Sequence, residues 1–334
     1  MQLTGFSRAA LLVLIMLCLP VPGDAQEHPP EKAQAIRVSV DRVNVGVVVT
    51  DALGNFVEGL HREDFHVSDN GIEQPLTDFA AVEEPAQVLL LIEAGPAVYL
   101  LEGGHLRAAY ALLIGLSASD RVAVVKYAES PQAILDFTPD KQAAAAALEQ
   151  LRFNLGFGSL NLSSSISKVL EWLTSVPGKK TIVLLSTGVD TSPANVSSAV
   201  LQQLSTSDVR LLAVSVAGGW QNPQAGSKKK APAPGATQTA QQFEQADQVL
   251  KGMAEAAGGR AYFPTTTKEF DAVYAEIAKL VRHEYSLAFA PPAHDGVSHS
   301  LEVRVGVRQT PLPNVPAVAY RVDHRRAYIA PAPR

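Results

Sequence analysis

Continuous apolar runs separated by helix-length segments restrict what this chain can fold into. Val88–Ile92 (VLLLI), Thr181–Leu185 (TIVLL) and Arg210–Val216 (RLLAVSV) show little polar alternation. Such runs suit strands buried on both faces of a parallel sheet, because helices must cover both sides. Between and around them, Leu100–Leu116, Lys141–Leu151, Ser163–Leu173, Asn195–Leu204, Phe243–Ala257 and Lys268–Val281 have helical character. Asp120–Tyr127, Ala133–Phe137 and Tyr285–Ala290 add further strands. Strands alternating with helices predict an α/β fold, doubly wound on a mostly parallel sheet with right-handed crossovers.

The two ends of the chain have a different period. Val43, Val45, Val47 and Val49 alternate with their neighbours, as do Leu301, Val303, Val305 and Val307. Period two marks half-buried strands. Ile36, Val38 and Val40 alternate in the opposite phase, so Asp41-Arg42 is expected to bend or bulge the chain. Asn70-Gly71 predicts a tight hairpin between Phe65–Ser68 and Ile72–Gln74. Val318–Val322 follows a Pro-rich loop over Thr310–Pro316. The expected organisation is a signal segment at 1–25, a flexible lead-in at 26–35, an N-terminal β segment at 36–84, an α/β domain at 85–290 and a C-terminal β segment at 291–334. Small flanking β segments at both ends, sharing one layer, complete the fold class. Residues 219–241, with Lys228-Lys229-Lys230 and scattered Pro, Gly and Gln, are expected to be a disordered loop.

Arg8 precedes the apolar stretch Ala9–Leu19, which is short for a membrane span, and Gly23-Asp24-Ala25 supplies small residues for cleavage near Ala25-Gln26. The segment is therefore read as a secretory signal, with an uncleaved anchor as the alternative, and the mature protein as secreted or periplasmic. No later stretch is apolar enough for a transmembrane helix. Cys18, the one cysteine, falls inside the signal, so no mature disulfide, thiol nucleophile or thiolate metal site is expected. A net charge of −5 argues against a nucleic-acid partner.

The order of elements resembles the von Willebrand factor A domain, Rossmann-like in layout. The phrases VVVTD at 47–51, Gly59-Leu60, Asp64-Phe65, DNGIEQ at 69–74, Phe79, GGRAYF at 258–263 and Glu284-Tyr285 to Pro291 resemble an acidobacterial group of uncharacterised secreted proteins related to that domain. The resemblance implies a metal-ion-dependent adhesion site, with an Asp-x-Ser-x-Ser first loop, a second-loop hydroxyl and a third-loop Asp. This chain departs from that pattern. Glu93 stands at the first Asp, Gly95 and Ala97 replace the two serines, Ser159 is the candidate second-loop hydroxyl, and Thr187 occupies the third-loop Asp position. Asp190 lies three residues beyond. Loss of two direct oxygen ligands and a charge removes what Mg²⁺ requires, so no cofactor is expected; the alternative is weak Ca²⁺ or Mg²⁺ at a site rebuilt from Glu93 and Asp190. If the pocket binds anything, Glu93 is the residue expected to hydrogen-bond a polar or cationic group directly.

Catalytic sets are missing: there is no G-x-S-x-G elbow, phosphate loop or H-E-x-x-H motif. His61 and His66, and His294 and His299, are read as solvated histidines. Ser163-Ser164-Ser165 is read as a helix entry whose hydroxyls cap free N–H groups. Trp172 is expected in the core and Trp220 on the surface. The expectation is a non-catalytic binding, adhesion or assembly module outside the cytoplasm, with a degenerate adhesion site and a protein or surface polymer as partner. The alternatives are a structural scaffold of an envelope complex using its β segments, or a hydrolase with an unrecognised site.

Overall fold

The computed structural model describes residues 42–95, 102–151, 159–217, 236–306 and 320–333. The expected signal segment, the lead-in, the bend at Asp41, Ala97, Trp220, the lysine run and the Pro-rich loop lie outside these residues.

Fourteen strands and six α-helices are described. They are β1 (Val43–Thr50), β2 (Phe65–Asp69), β3 (Ile72–Gln74), β4 (Leu76–Glu83), β5 (Ala86–Glu93), α1 (Glu102–Gly115), β6 (Arg121–Tyr127), β7 (Pro131–Thr138), α2 (Lys141–Glu149) and α3 (Leu162–Leu173). Then come β8 (Lys179–Ser186), α4 (Ala194–Thr206), β9 (Val209–Ser215), α5 (Ala236–Ala256), β10 (Arg260–Tyr262), α6 (Thr267–Leu280), β11 (His283–Phe289), β12 (Ser298–Val305), β13 (Arg321–Asp323) and β14 (Ala327–Ile329).

A six-stranded sheet in the order β10-β9-β8-β5-β6-β7 forms the centre. It is parallel except at β7, which pairs antiparallel with β6. The continuous apolar runs are explained by two-sided burial. Val88, Leu90 and Ile92 pack with α1, α2 and α6; Leu89 and Leu91 pack with α3, α4 and α5. The expected doubly wound α/β fold is present. Trp172 packs on the second of these clusters, 5.6 Å from Phe137 between ring centroids. Helix α5 starts at Ala236, so the last residues of the stretch expected to be a disordered loop are helical.

The flanking strands make two four-stranded sheets and not one layer: β13-β1-β11-β4 and β14-β12-β2-β3. Val45, Val47, Tyr285 and Leu287 from the first share a core with Phe65, Val67, Leu301 and Val303 from the second. Strand β11, expected to close the α/β domain, instead lies between β1 and β4 as an antiparallel partner of both. The period-two pattern of β1 gives its reason: Val43, Val45, Val47 and Val49 point to the sandwich core. Asn70 and Gly71, both at positive φ, form the hairpin between β2 and β3.

The Gly258-Gly259 turn fastens sandwich to sheet. A Cβ on Gly259 would stand 2.0 Å from the Leu211 carbonyl oxygen, and one on Gly258 would stand 2.3 Å from the Arg325 nitrogen. Only glycine permits this approach. The turn delivers Arg260, whose Nε donates to Asp323 on β13 (3.0 Å), Nη1 to Glu276 on α6 (3.1 Å) and Nη2 to Thr50 on β1 (3.2 Å).

Candidate functional site

In an open parallel sheet, ligand sites lie beyond the carboxyl ends of the strands where chain order reverses. Here β5 runs to β6 on one side and has β8 on the other, so the reversal falls between β5 and β8. Glu93 ends β5, and Ser186 and Thr187 end β8.

Glu93 is fully buried. Its Oε2 accepts from the Thr187 amide (2.7 Å), the Thr187 hydroxyl (2.8 Å), the Ser186 hydroxyl (3.0 Å) and the Tyr127 hydroxyl (3.3 Å). Tyr127 and Ser186 hydroxyls are 2.6 Å apart, and Ser186 Oγ also accepts from the Gly188 amide at 2.9 Å. Among the described residues Oε1 has no hydrogen-bond partner. Burial pushes the Glu93 carboxyl above its ordinary value, opposed by the bonds from Thr187, Ser186 and Tyr127. Burial, then the Glu93 charge, pushes the Tyr127 phenol up strongly. The burial of Glu93 corrects the expectation that it is open to a polar or cationic group.

Gly95 belongs to the same packing. A Cβ there would lie 3.1 Å from Glu93 Oε1 and 3.2 Å from a Leu160 methyl carbon. The extra methylene of glutamate thus carries its carboxyl into the space next to residue 95, and glycine leaves that space open.

Asp190 forms a separate cluster. Its Oδ2 accepts from the Ser163 amide at 3.1 Å and from the Ser163 hydroxyl, and its Oδ1 accepts from the Ser192 amide at 2.9 Å. The Ser197 hydroxyl is 3.4 Å from Oδ2. Burial pushes this carboxyl up, but the bonds from Ser163 and Ser192 outweigh it and hold it below its ordinary value. Ser163–Ser165 stand in the first turn of α3 as expected, but the caps come from elsewhere and not from their own hydroxyls. Asn161 makes no side-chain cap on α3; Asp190 caps the Ser163 amide from across the site, and the Ser192 hydroxyl meets the Ser164 amide at 3.3 Å.

Glu93 and Asp190 therefore accept from different donors. Thr187 is buried with its hydroxyl turned to Glu93, whereas Ser159 is exposed. Ala97 lies outside the described residues. Among the described residues no three His, Cys, Asp or Glu side chains come together as a metal site. No described helix is long and apolar enough to cross a membrane.

The sequence reading missed a histidine cluster. His299 is buried in the second sandwich sheet, with Nδ1 2.8 Å from Asp69 and Nε2 3.1 Å from Asp295; it is not solvated. Tyr328 donates to the same Asp69 at 3.1 Å. Val303 and Leu301 alternate with outward residues, and extending that phase to 299 places the histidine inside, which was the available signal. His66 is exposed and lies 2.8 Å from Glu73.

The family model of the von Willebrand factor type A domain matches residues 107–270. Among solved structures, an aerotolerance-related membrane protein from Bacteroides fragilis is 15% identical and covers 59% of this chain and 98% of its own, with a TM-score of 0.45. A von Willebrand factor type A protein from Catenulispora acidiphila is 11% identical over 80% of this chain and 74% of its own, TM-score 0.45. Proximal thread matrix protein 1 from the mussel byssus, with a zinc-occupied MIDAS motif, is 13% identical over 64% of this chain and 50% of its own, TM-score 0.44. No curated protein matches the chain.

Proposed function

We propose that this chain, whose residues 107–270 match the family model of the von Willebrand factor type A domain, is a non-catalytic protein-binding or adhesion module whose sheet-top site works without a metal ion. The observation that carries the reading is the set of bonds on Glu93. A Mg²⁺ shell needs a near-octahedral set of oxygens, with a place left for the partner. Oε2 of Glu93 is already taken by Thr187, Ser186 and Tyr127, and both oxygens of Asp190 are taken by Ser163 and Ser192. Thr187 turns its hydroxyl inward to a carboxyl, and Gly95 brings no side-chain oxygen. The donors present do not fit a hard cation, which supports a degenerate adhesion site. The partner then meets the rim, where Ser159 and Val189 are exposed.

The partner is read as a protein or surface polymer, met outside the cytoplasm. The apolar N-terminal segment with its small-residue cleavage site supports export, and the phrases shared with the acidobacterial secreted group agree with it. The missing nucleophile, phosphate-loop and zinc motifs support a non-enzyme. A scaffold role for the β sandwich is the second reading, favoured by Ile72 on edge strand β3 and Ile329 on edge strand β14, 68% and 50% exposed.

Calorimetry with Mg²⁺, Mn²⁺ and Ca²⁺, together with partner capture in chelator and in Mg²⁺, tests the proposal. Flat titrations and equal capture in both buffers, with loss on Ser159→Arg, are expected. Micromolar cation binding removed by Glu93→Ala, or capture that needs the cation, would reverse it.

A further inference from the structure

The opposite edge of the parallel sheet, where β8 and β9 begin, gathers four cations around one cavity. Lys179 and Lys180 open β8, Arg210 is the second residue of β9, and Arg325 comes from the turn between β13 and β14. The cavity holds about 220 Å³ and also touches Gly46 and three carboxylates, Glu84, Asp208 and Glu284, against four cations. That volume falls below the ~300 Å³ at which pockets for drug-sized ligands begin, so a small occupant fits.

The side chains of Lys179, Lys180 and Arg210 are only 6%, 7% and 9% exposed. Lys180 has its own counter-charge, Asp208 at 2.7 Å. One carboxylate, Glu284, serves two of the others: Arg210 Nη2 at 2.8 Å and Lys179 Nζ at 3.6 Å. Its carboxyl fits because Gly46 has no side chain; a Cβ there would stand 3.0 Å from Glu284 Oε2. Arg325 spends Nη2 on the Asn44 carbonyl at 2.7 Å and Nη1 on the Thr206 carbonyl at 3.4 Å, and pairs with no described carboxylate. Among the described residues, three buried donor atoms have no hydrogen-bond acceptor: Lys179 Nζ, Arg210 Nη1 and Arg325 Nε. Buried cations short of counter-charge are costly unless something answers them. Burial pushes the Lys179 ammonium down to about 8 and lowers the Arg325 guanidinium.

We infer that this cavity binds a compact oxyanion of the phosphate type, held by Lys179, Arg210 and Arg325. Planar guanidinium forks and a point-charge ammonium together suit tetrahedral oxygens. Glu284 orients Arg210 from behind. The site sits at the far end of β8 from Thr187, so it does not rest on the metal-free reading of the sheet top.

The test uses the full chain and inorganic phosphate, titrated calorimetrically against chloride at matched ionic strength. A saturable heat is expected for phosphate and none for chloride. Arg325→Gln and Lys179→Gln, checked for folding by near-ultraviolet circular dichroism, should each weaken it about tenfold or more, since hydrogen bonds to charged groups contribute ~1.5–3 kcal/mol. A glycerol phosphate arm separates sources: binding of both assigns the cavity to a phosphate group on a larger molecule, and binding of phosphate alone assigns it to the free ion. No saturable heat, or heat unchanged in both variants, overturns the inference. Should the variants fail to fold, sulfate is competed against phosphate on the wild-type chain. Displacement by sulfate but not by chloride supports the site, and equal displacement by chloride overturns it.

Discussion

Glu93 Oε1 stands 3.1 Å from the point that a Cβ on Gly95 would occupy. The glutamate and the glycine are one steric unit. With the longer acid at the end of β5, a side chain two positions on would force Glu93 or Leu160 to give by a few tenths of an ångström. Gly95 therefore leaves room for the Glu93 carboxyl.

This coupling predicts non-additive mutants. Gly95→Ser alone should destabilise by pressing on Glu93 and Leu160. Glu93→Asp alone should destabilise by withdrawing Oε2 from Thr187 and Ser186. The double mutant should lose less than the sum, by about 0.5–3 kcal/mol. Urea unfolding of the four proteins measures it, and additive losses would separate the two positions.

The buried Glu93 carboxyl carries a pH signature. Its folded value lies above its unfolded one because of burial, so its contribution to stability is fullest below the unfolded value. That contribution is lost as pH rises through the folded value. Glu93→Gln keeps an acceptor oxygen but cannot ionise. The stability of wild type relative to Glu93→Gln should therefore fall as pH rises, measured by denaturant unfolding at about pH 4 and about pH 7.5. A constant difference would mean that Glu93 does not titrate differently on folding.

Asp190 works in the other direction. Its carboxyl is held low by Ser163 and Ser192 despite burial, so its stabilisation is present above the unfolded value and lost as pH falls through the folded one. Asp190→Ala should cost about 1–2 kcal/mol at neutral pH, the range for a lost helix cap, and should fray the start of α3. Hydrogen exchange at the Ser163 and Ser164 amides reads this directly; unchanged protection there contradicts the capping role.

Arg260 bridges β1, β13 and α6 while 5% exposed. Arg260→Met should destabilise by ~1.5–3 kcal/mol, because it strips the cation from Asp323 Oδ2 and leaves that buried carboxylate to Arg321 on Oδ1 alone. A loss below ~1 kcal/mol in thermal unfolding would show that Asp323 finds another partner.

His299 gives the sandwich its own pH dependence. Hydrogen bonds to Asp295 and Asp69 raise its imidazole above the ordinary value. Stability from this contact is fully present below the unfolded value of about 6.5 and declines as pH rises through the folded value. His299→Gln should flatten that decline between about pH 6 and about pH 8.5, as followed by the unfolding midpoint. An identical slope in the variant would place the titration elsewhere.

Much of the fold follows from local pattern. Continuous apolar runs such as Val88–Ile92 identify strands buried on both faces, and the period of two in β1 and β12 identifies half-buried ones. Asn70-Gly71 fixes a hairpin because both residues tolerate positive φ. Each of these is a property of neighbouring residues, so each can be read along the chain. That Glu93, Gly95 and Thr187 stand at the ends of these strands and in their loops is likewise plain in the sequence.

Tertiary structure alone decided the pairings. Strand β11 has the length and apolar content of a strand in either sheet, and its antiparallel register with β1 and β4 places it in the sandwich. Whether Glu93 faces solvent or is sealed by Thr187, Ser186 and Tyr127 depends on residues up to 94 positions away. The burial of His299 against Asp69 joins residues 230 positions apart, and the cavity cations meet only because β8, β9 and the β13–β14 turn end at one place. Side-chain type determines what a group can do chemically. Its hydrogen-bond partners and its protonation depend on neighbours that long-range packing brings to it.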